Sequence, residues 1–148
     1  MRAVIQRVKE AKVTVEQQVT GRIEQGIVVL VGFAEADGPD DLDWMARKIA
    51  SLRIFSDSEG KMNLSVGQVQ GKILVVPNFT LYGDVNRGRR PSFTSAAQPQ
   101  VAQQLFDQFV EVLRKQAVEI ASGEFGASMQ VDIVNDGPVT LIIDTKSA

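Results

Sequence analysis

The stretch Lys72–Asp84 reads KILVVPNFTLYGD and changes character at its middle. Its first part, Ile73 to Val76, is an apolar and mostly β-branched run, which predicts a buried strand. Pro77 has no N–H and cannot continue a central ladder, so the strand is expected to end there. Amide, hydroxyl and aromatic side chains follow at once. Such a stretch either builds a site on a rigid support or simply ends a strand, and taken alone it leaves both interpretations open.

Further strands are predicted on both sides of this stretch from alternating or continuous apolar residues. Before it they fall at Arg2–Val8, Ala11–Glu16, Val19–Glu24 and Ile27–Phe33, with a hairpin turn at Gln17-Gln18. After it they fall at Val118–Ala121, Met129–Val134 and Val139–Asp144. The segment Asn135 to Thr140, which contains Gly137-Pro138, reads most simply as a turn between the last two strands.

Two helices are predicted from apolar residues at helical spacing, over Pro39–Arg53 and Pro99–Lys115. A proline suits the first helical position in both. Their predicted buried faces comprise Leu42, Met45, Ala46, Ile49 and Leu52 in the first, and Ala102, Leu105, Phe106, Phe109, Val112 and Leu113 in the second. The element order indicates a single domain over residues 1–148, of α/β or α+β class.

The composition is that of an ordinary soluble domain, with 44% hydrophobic and 23% charged residues in a chain of 148. No apolar run approaches the roughly 20 residues that a membrane helix needs. The opening Met1-Arg2-Ala3-Val4 is strand-like rather than typical of a signal peptide. A cytoplasmic protein without a membrane partner is expected.

Cysteine and histidine are both missing from the sequence. Their absence excludes disulfides, thiol nucleophiles, Ser-His-Asp triads and thiolate or imidazole metal sites. An enzyme with this composition would have to use carboxylates, lysine, hydroxyls and backbone dipoles, or a group supplied by its substrate. The acidic residues Asp40, Asp41 and Asp43 suit a helix start and do not predict a metal site. No nucleotide fingerprint is present, and no cofactor or metal is expected.

A basic loop follows the opening stretch and carries Arg87, Arg89 and Arg90 around Gly88. Three guanidinium groups so close together could bind phosphates. From charge alone a solvated loop that only aids solubility is the better explanation, because short basic runs are a permissive motif. The net charge of the chain is −2, so no global field attracts nucleic acid.

Thr80 is the one hydroxyl placed for nucleophilic work, directly after a buried strand. Without histidine it would need a neighbouring carboxylate or lysine to activate it. A threonine that bonds backbone at a strand end is an equally good interpretation.

Several segments together resemble the D-aminoacyl-tRNA deacylase family, in the right order and across the whole chain. They are Met1 to Val8, Asn78-Phe79-Thr80-Leu81-Tyr82, Arg89-Arg90-Pro91-Ser92-Phe93, Gly123 to Ala127 and Asn135 to Thr140. The resemblance implies a symmetric homodimer with a mixed, barrel-like β-sheet core and two main helices. It implies hydrolysis of D-aminoacyl-tRNA and mischarged glycyl-tRNA, with Asn78, Phe79 and Thr80 at the catalytic centre.

The same resemblance implies that Gly137-Pro138 is cis, enters the partner's site and selects against L-amino acids by steric clash. Arg7 is implied to hold this motif, and Met129 and Phe125 to line the adenosine pocket. Since the ligand would be a polyanion, Arg87, Arg89 and Arg90 become candidate tRNA contacts. Backbone N–H groups around Phe79 and Thr80, with the tRNA 2′-hydroxyl, would suffice for an already activated ester.

The sequence departs from the family pattern where Pro77-Asn78 replaces the usual Ser-Gln. This departure supports one alternative, a non-catalytic dimeric module that binds tRNA or amino acids. A second alternative is a Thr80-dependent esterase that acts on small esters and needs no RNA.

Overall fold

The computed structural model describes residues 1–86 and 88–147. One mixed sheet of six strands has the order β2-β1-β3-β6-β7. The long strand β1 pairs with β3 through its first half and with β2 through its second half, and β8 pairs with β1 along its other edge. Its strands are β1 (Arg2–Val15), β2 (Gln18–Ile23), β3 (Gly26–Gly32), β6 (Lys72–Pro77), β7 (Ile120–Ser122) and β8 (Gln130–Asp144). The short strands β4 (Phe55–Ser56) and β5 (Met62–Leu64) form a separate antiparallel pair.

The sheet curls until its two ends nearly meet. A Cβ placed on Gly21 of β2 would lie only 2.7 Å from the backbone oxygen of Ser122 in β7. A side chain at position 21 would therefore separate the two ends, and glycine permits the close approach of the backbones. The predicted mixed α/β fold with a barrel-like sheet and two main helices is confirmed.

The strands β3 and β6 are buried on both faces, which explains their continuous apolar sequence. They pair in parallel, with Val28 opposite Leu74 and Val29 opposite Val75. Val28 and Leu74 belong to the smaller core inside the curled sheet, whereas Val29 and Val75 pack in the larger core beneath the helices. Parallel strands covered on both faces show no polar alternation.

The helices α1 (Pro39–Ser51) and α2 (Pro99–Arg114) pack on the outer face of the sheet. The first ends two residues earlier than predicted, because Leu52 has the non-helical ψ of 124°. Arg53 instead donates from Nε to the Asn63 carbonyl. The second ends at Arg114; Val110 is buried on its inner face, and the predicted Val112 is half-buried and packs against the same core. No helix in the described part of the chain is both long and apolar enough to cross a membrane.

Three predicted boundaries between strands are wrong. The first two strands form one continuous β1, although Lys9 and Glu10 are exposed. The following hairpin turn lies at Glu16-Gln17, whose φ angles are 46° and 67°, and not at Gln17-Gln18. The predicted turn at Asn135 to Thr140 is an irregularity within the single strand β8, since residues on both sides of it pair with β1. The polar, glycine-containing sequence resembled a turn, but the ladder to β1 continues past it.

Candidate functional site

A cavity of about 740 Å³ opens where β6 ends. Its lining includes Asn78 and Phe79 at the strand end, together with Phe125 and Met129 from later in the chain. The remaining wall is mostly apolar and comes from Leu30, Val76, Pro77, Phe93, Ala96, Ala97, Gln98, Pro99, Ala102, Gly126, Ala127, Val131 and Ile133. An apolar cavity with a few polar groups on a rigid element is the usual form of a small-molecule site.

The polar edge of the cavity begins at the end of the β6 ladder. The last backbone hydrogen bond from β6 to β3 is made by the Asn78 N–H, which donates to the Val31 carbonyl at 2.7 Å. The chain then turns into a short 3₁₀ helix, Phe79–Tyr82. The first N–H groups of a helix have no partner within it, and Phe79 N–H donates to no acceptor in the described residues. A backbone donor is thereby left available at the cavity wall.

Asn78 organises the hydrogen bonds of this turn. Its Oδ1 accepts from the Thr80 hydroxyl at 2.6 Å and from the Thr80 N–H at 3.3 Å. The expectation that Thr80 supplies a free backbone donor is therefore wrong, because Asn78 already occupies that N–H. The side-chain amide Nδ2 of Asn78 donates to no group among the described residues, so a second donor accompanies Phe79 N–H at the cavity wall.

The Thr80 side chain is exposed and does not line the cavity. Its hydroxyl proton is directed at an amide oxygen, which cannot act as a general base. No carboxylate or lysine of the described chain is hydrogen-bonded to this hydroxyl. Nothing in the geometry activates Thr80 as a nucleophile.

Arg2 of β1 ties the turn to the sheet. Its Nη1 donates to the Leu81 carbonyl at 2.8 Å, its Nε binds Asp144 Oδ2 at 2.9 Å, and its guanidinium lies 4.9 Å from the Tyr82 ring centroid. Burial, followed by the charges of Asp37 and Asp144, raises the pKa of Tyr82 to about 12. The phenol therefore stays neutral near pH 7 and cannot serve as a base.

Phe125 and Met129 are supported by packing against α2 and against the residue that follows β7. The ring of Phe125 lies 6.1 Å from that of Phe106 in α2. A Cβ on Gly123 would lie 2.8 Å from Met129 Sδ, so glycine at this position makes room for the methionine. The predicted residues Phe125 and Met129 thus meet at one wall of the cavity.

Gly137-Pro138 lies outside this cavity in the single chain, and its peptide bond is cis. Both residues are exposed. The bulge Asn135–Val139 that carries them is nevertheless tightly held: Asn135 Nδ2 donates to the Arg7 carbonyl at 2.8 Å and to the Val139 carbonyl at 3.0 Å. A fixed backbone thus presents an exposed dipeptide.

Arg7 holds the bulge from the neighbouring strand, and its side chain is only 11% exposed. Its Nη1 donates to the Ile54 carbonyl at 2.6 Å and its Nε to the Asp136 carbonyl at 3.2 Å. The Asp136 carboxylate lies 3.1 Å from the same Nε. Arg7 does not line the cavity, and its contacts are those of a support for the bulge.

The basic loop stands beside the cavity. Arg89 and Arg90 are exposed, and neither lies within ion-pair distance of a carboxylate in the described chain. Arg87, the third predicted contact, lies outside the described residues. The loop returns to the cavity through Phe93, which lines the wall and which the sequence reasoning did not single out. The one sequence signal for Phe93 is its place in Arg89 to Phe93, a segment that resembles the family.

A second depression of about 870 Å³ lies along α2 and shares Phe125 with the first cavity. Its lining includes Asp107, Glu111, Arg114 and Glu124, and it contains neither Asn78 nor Phe79. The cavity at the end of β6 is therefore the stronger candidate site.

The sequence model described as D-Tyr-tRNA(Tyr) deacylase matches residues 4–144 of this chain. The chain belongs to the D-Tyr-tRNA(Tyr) deacylase family. The resemblance seen in the sequence is confirmed, and with it the assignment to an enzyme family.

Individual relatives agree with this membership over nearly the whole length. The chain is 52% identical over 146 residues to a protein of Thermotoga petrophila and 54% identical over 144 residues to one of Carboxydothermus hydrogenoformans. Both relatives bear the name D-aminoacyl-tRNA deacylase; the alignments cover 99% and 97% of this chain, and 98% and 99% of the relatives.

Two solved structures share this fold over nearly the whole chain. A protein titled c-Myc DNA Unwinding Element Binding Protein matches with a TM-score of 0.93 and 42% identity, covering 98% of this chain and 99% of its own. A structure titled as a probable eukaryotic D-amino acid tRNA deacylase matches with a TM-score of 0.82 at 20% identity, covering 96% and 97%. At that identity the second match speaks for the fold alone.

Proposed function

We propose that this chain hydrolyses the ester bond between a D-amino acid, or mischarged glycine, and the 3′ end of tRNA. The products are the free amino acid and tRNA. The observation that carries the proposal is the cavity at Asn78 and Phe79 in a chain that matches the family over its length.

The proposed chemistry needs no histidine or cysteine. Water attacks the ester carbonyl, and the developing negative oxygen is stabilised by Phe79 N–H and Asn78 Nδ2, two donors at the cavity wall without partners in the described chain. An aminoacyl ester on a ribose is already activated, so positioning and charge stabilisation contribute most of the rate. The neighbouring 2′-hydroxyl of the terminal adenosine assists the attacking water or the leaving oxygen. The adenosine itself lies against Phe125 and Met129.

Thr80 acts in this scheme by position rather than as a nucleophile. Its hydroxyl donates to Asn78 Oδ1 and so fixes the orientation of the Asn78 amide, whose other end is the proposed donor. Asn78 is one methylene group shorter than the glutamine usual at this position, and its bond to Thr80 supports it close to the strand end.

Chiral selection is proposed to come from a second copy of the chain. Gly137 and Pro138 are exposed, firmly held by Arg7 and Asn135, and absent from the cavity of their own chain. In a symmetric homodimer they enter the partner's cavity, where their carbonyl oxygens bind the α-ammonium group. An L side chain then collides with the motif, whereas a D side chain points to solvent and glycine has nothing to collide. Selection by clash gives strong rejection without preference among D side chains.

The tRNA is proposed to contact the basic loop beside the cavity. Arg89 and Arg90 are exposed and unpaired within the described chain, so they are available for phosphates. Such a local patch is needed because the overall charge of the chain is −2.

The test compares hydrolysis of D-Tyr-tRNA, L-Tyr-tRNA and Gly-tRNA at equal and low enzyme concentration. Rapid loss of the D-ester and the glycyl ester, with the L-ester intact, is the expected result. Equal hydrolysis of the D- and L-esters would refute the proposed chiral selection. Saturable tRNA binding without any turnover would establish the binding module instead.

The variant Thr80→Val separates the proposal from the esterase alternative. We expect it to retain activity within about tenfold, because only the orientation of Asn78 is disturbed. Two results together would show that Thr80 is the nucleophile: the variant loses all activity, and the wild-type protein hydrolyses small D-amino acid esters that lack RNA.

A further inference from the structure

Among the described residues, Phe93 is the aromatic side chain that packs on Phe79 from the basic-loop side. Their ring centroids lie 5.1 Å apart at an interplanar angle of 73°, an edge-to-face arrangement that aromatic pairs favour. Phe79 is 57% exposed, so its ring has little other support. Both rings line the cavity at the end of β6.

Phe93 also touches the backbone of the turn that follows Phe79. A Cβ on Gly83 would lie 3.0 Å from Phe93 Cε1 and 3.0 Å from the Thr80 carbonyl oxygen. The Phe93 ring therefore lies directly against the chain at Gly83, whose N–H donates to that Thr80 carbonyl at 2.9 Å. One ring thus braces both ends of the 3₁₀ turn.

The position of Phe93 is itself fixed by hydrogen bonds on either side. Asp84 and Ser92 exchange backbone bonds of 2.7 and 2.9 Å, which closes the loop immediately before Phe93. After it, Ala96 N–H donates to the Phe93 carbonyl at 3.1 Å. The loop that carries Arg89 and Arg90 leaves and returns through this closed point.

We propose that Phe93 is a positioning residue, which holds the Phe79 backbone N–H in the orientation that stabilises the oxyanion. The inference rests on the proposed function, and it assigns to Phe93 an effect on the chemical step rather than on tRNA affinity. An oxyanion donor must be directed at the place where charge develops, so a small rotation of the turn lowers kcat. Phe93 directly follows the Asp84–Ser92 pair that closes the basic loop. A tRNA bound to the basic loop would therefore lie beside the Phe93 ring.

The kinetic test compares Phe93→Leu, Phe93→Met and Phe93→Tyr with D-Tyr-tRNA as substrate. The two aliphatic variants should lose about tenfold in kcat with KM within about twofold of wild type. Phe93→Tyr keeps the ring and should recover most of the loss. The control is Val85→Ala, an exposed residue of the same loop that does not line the cavity, and it should behave as wild type. An unchanged kcat in both aliphatic variants, or a rise in KM alone, would overturn the proposal.

A second measurement does not depend on turnover. The ¹⁵N relaxation order parameter of the Phe79 amide should fall in Phe93→Leu or Phe93→Met and stay near wild type in Phe93→Tyr. The Val75 amide, in the buried part of β6, should not change in any variant that retains the wild-type fold. An unchanged Phe79 amide in the aliphatic variants would overturn the positioning role. If wild-type protein hydrolyses no D-Tyr-tRNA, the proposed function fails, whereas the relaxation result still decides whether Phe93 holds Phe79.

Discussion

The end of β6 and the bulge in β8 are two interruptions of the same sheet, and they differ in where their groups lie. At the end of β6, Asn78 and Phe79 line a cavity of their own chain. At the bulge, Gly137 and Pro138 are exposed and line no part of that cavity. Each region is tied to β1 by one arginine, Arg2 to the first and Arg7 to the second. Both regions are thus supported from β1, but only the first lines a cavity of its own chain, and the proposed function places the second at the site of another copy.

The largest effect is expected from Asn78→Asp, which tests whether the β6 end supplies an oxyanion donor. The change keeps an oxygen for Thr80 but replaces the Nδ2 donor with a negatively charged oxygen. We expect kcat to fall by about 10² to 10³, the range for loss of one oxyanion donor. Steady-state kinetics with D-Tyr-tRNA measure it.

Asn78→Gln is the matched control, because it restores the residue usual in the family and keeps the amide. Activity should remain within a few-fold of wild type. If Asn78→Asp were as active as Asn78→Gln, the amide would have no role in catalysis. The end of β6 would then differ from the bulge in position but not in supplying an oxyanion donor from Asn78.

A smaller effect, on stability, is expected from Gly137→Ala in the bulge. The φ angle of Gly137 is +128°, and an added Cβ would lie 2.9 Å from Val139 Cγ2 and 3.0 Å from Arg7 Nη2. Backbone strain and the clash together should lower the free energy of unfolding by about 3 kcal/mol, as measured by urea denaturation.

Gly60→Ala provides the comparison for Gly137→Ala. Gly60 has a φ of +79°, and a Cβ added there would meet no atom within 4 Å. Its cost should be only about 1 kcal/mol, that of the left-handed conformation. Equal losses in the two variants would mean that the bulge relaxes to accept the Cβ and that its backbone is not fixed.

The smallest effect is expected from Asp144→Asn, beside Arg2. Burial raises the pKa of Asp144, but the Lys146 N–H and the Arg2 guanidinium together outweigh burial and lower this pKa below its usual 3.8. A carboxyl group with a lowered folded pKa stabilises the protein above pH 3.8, and this contribution is lost as pH falls through the folded value. Because the Arg2 side chain is 38% exposed, the loss on substitution should be only about 0.5 kcal/mol at pH 7.

This small difference should diminish as pH falls below 3.8 and the wild-type carboxyl group becomes protonated in the folded protein. Urea denaturation of both proteins at pH 7 and at a series of acidic pH values measures it. A difference that persisted in acid would mean that Asp144 acts through its shape and hydrogen bonds rather than its charge.

The sequence predicted most where one physical signal determined the result. Apolar periodicity located both helices, and the continuous run Ile73 to Val76 located the strand that ends at the site. The same local signals were wrong at Asn135 to Thr140, where polar and turn-forming residues lie inside a strand. The conformation of that segment depends on pairing with β1, which is distant in the sequence. Local composition does not report such a pairing.

The candidate site was predicted partly from the residues and mainly from the family resemblance. Asn78, Phe79, Phe125 and Met129 do meet at one cavity, although they come from distant parts of the chain. Nothing in the sequence showed that Asn78 would occupy the Thr80 N–H, since that depends on the geometry of one short turn. Phe93 was missed for a similar reason: its contact with Phe79 is fixed by the Asp84–Ser92 bridge, and no periodic pattern reports it.

The separation of Gly137 from the cavity of its own chain has a genetic consequence in the proposed homodimer. Each site would combine the cavity of one copy with the bulge of the other. An allele damaged only at Asn78 and an allele damaged only at Gly137 would then complement one another when co-expressed, because a mixed dimer contains one site built entirely from intact parts. Two different alleles of the cavity would show no such complementation.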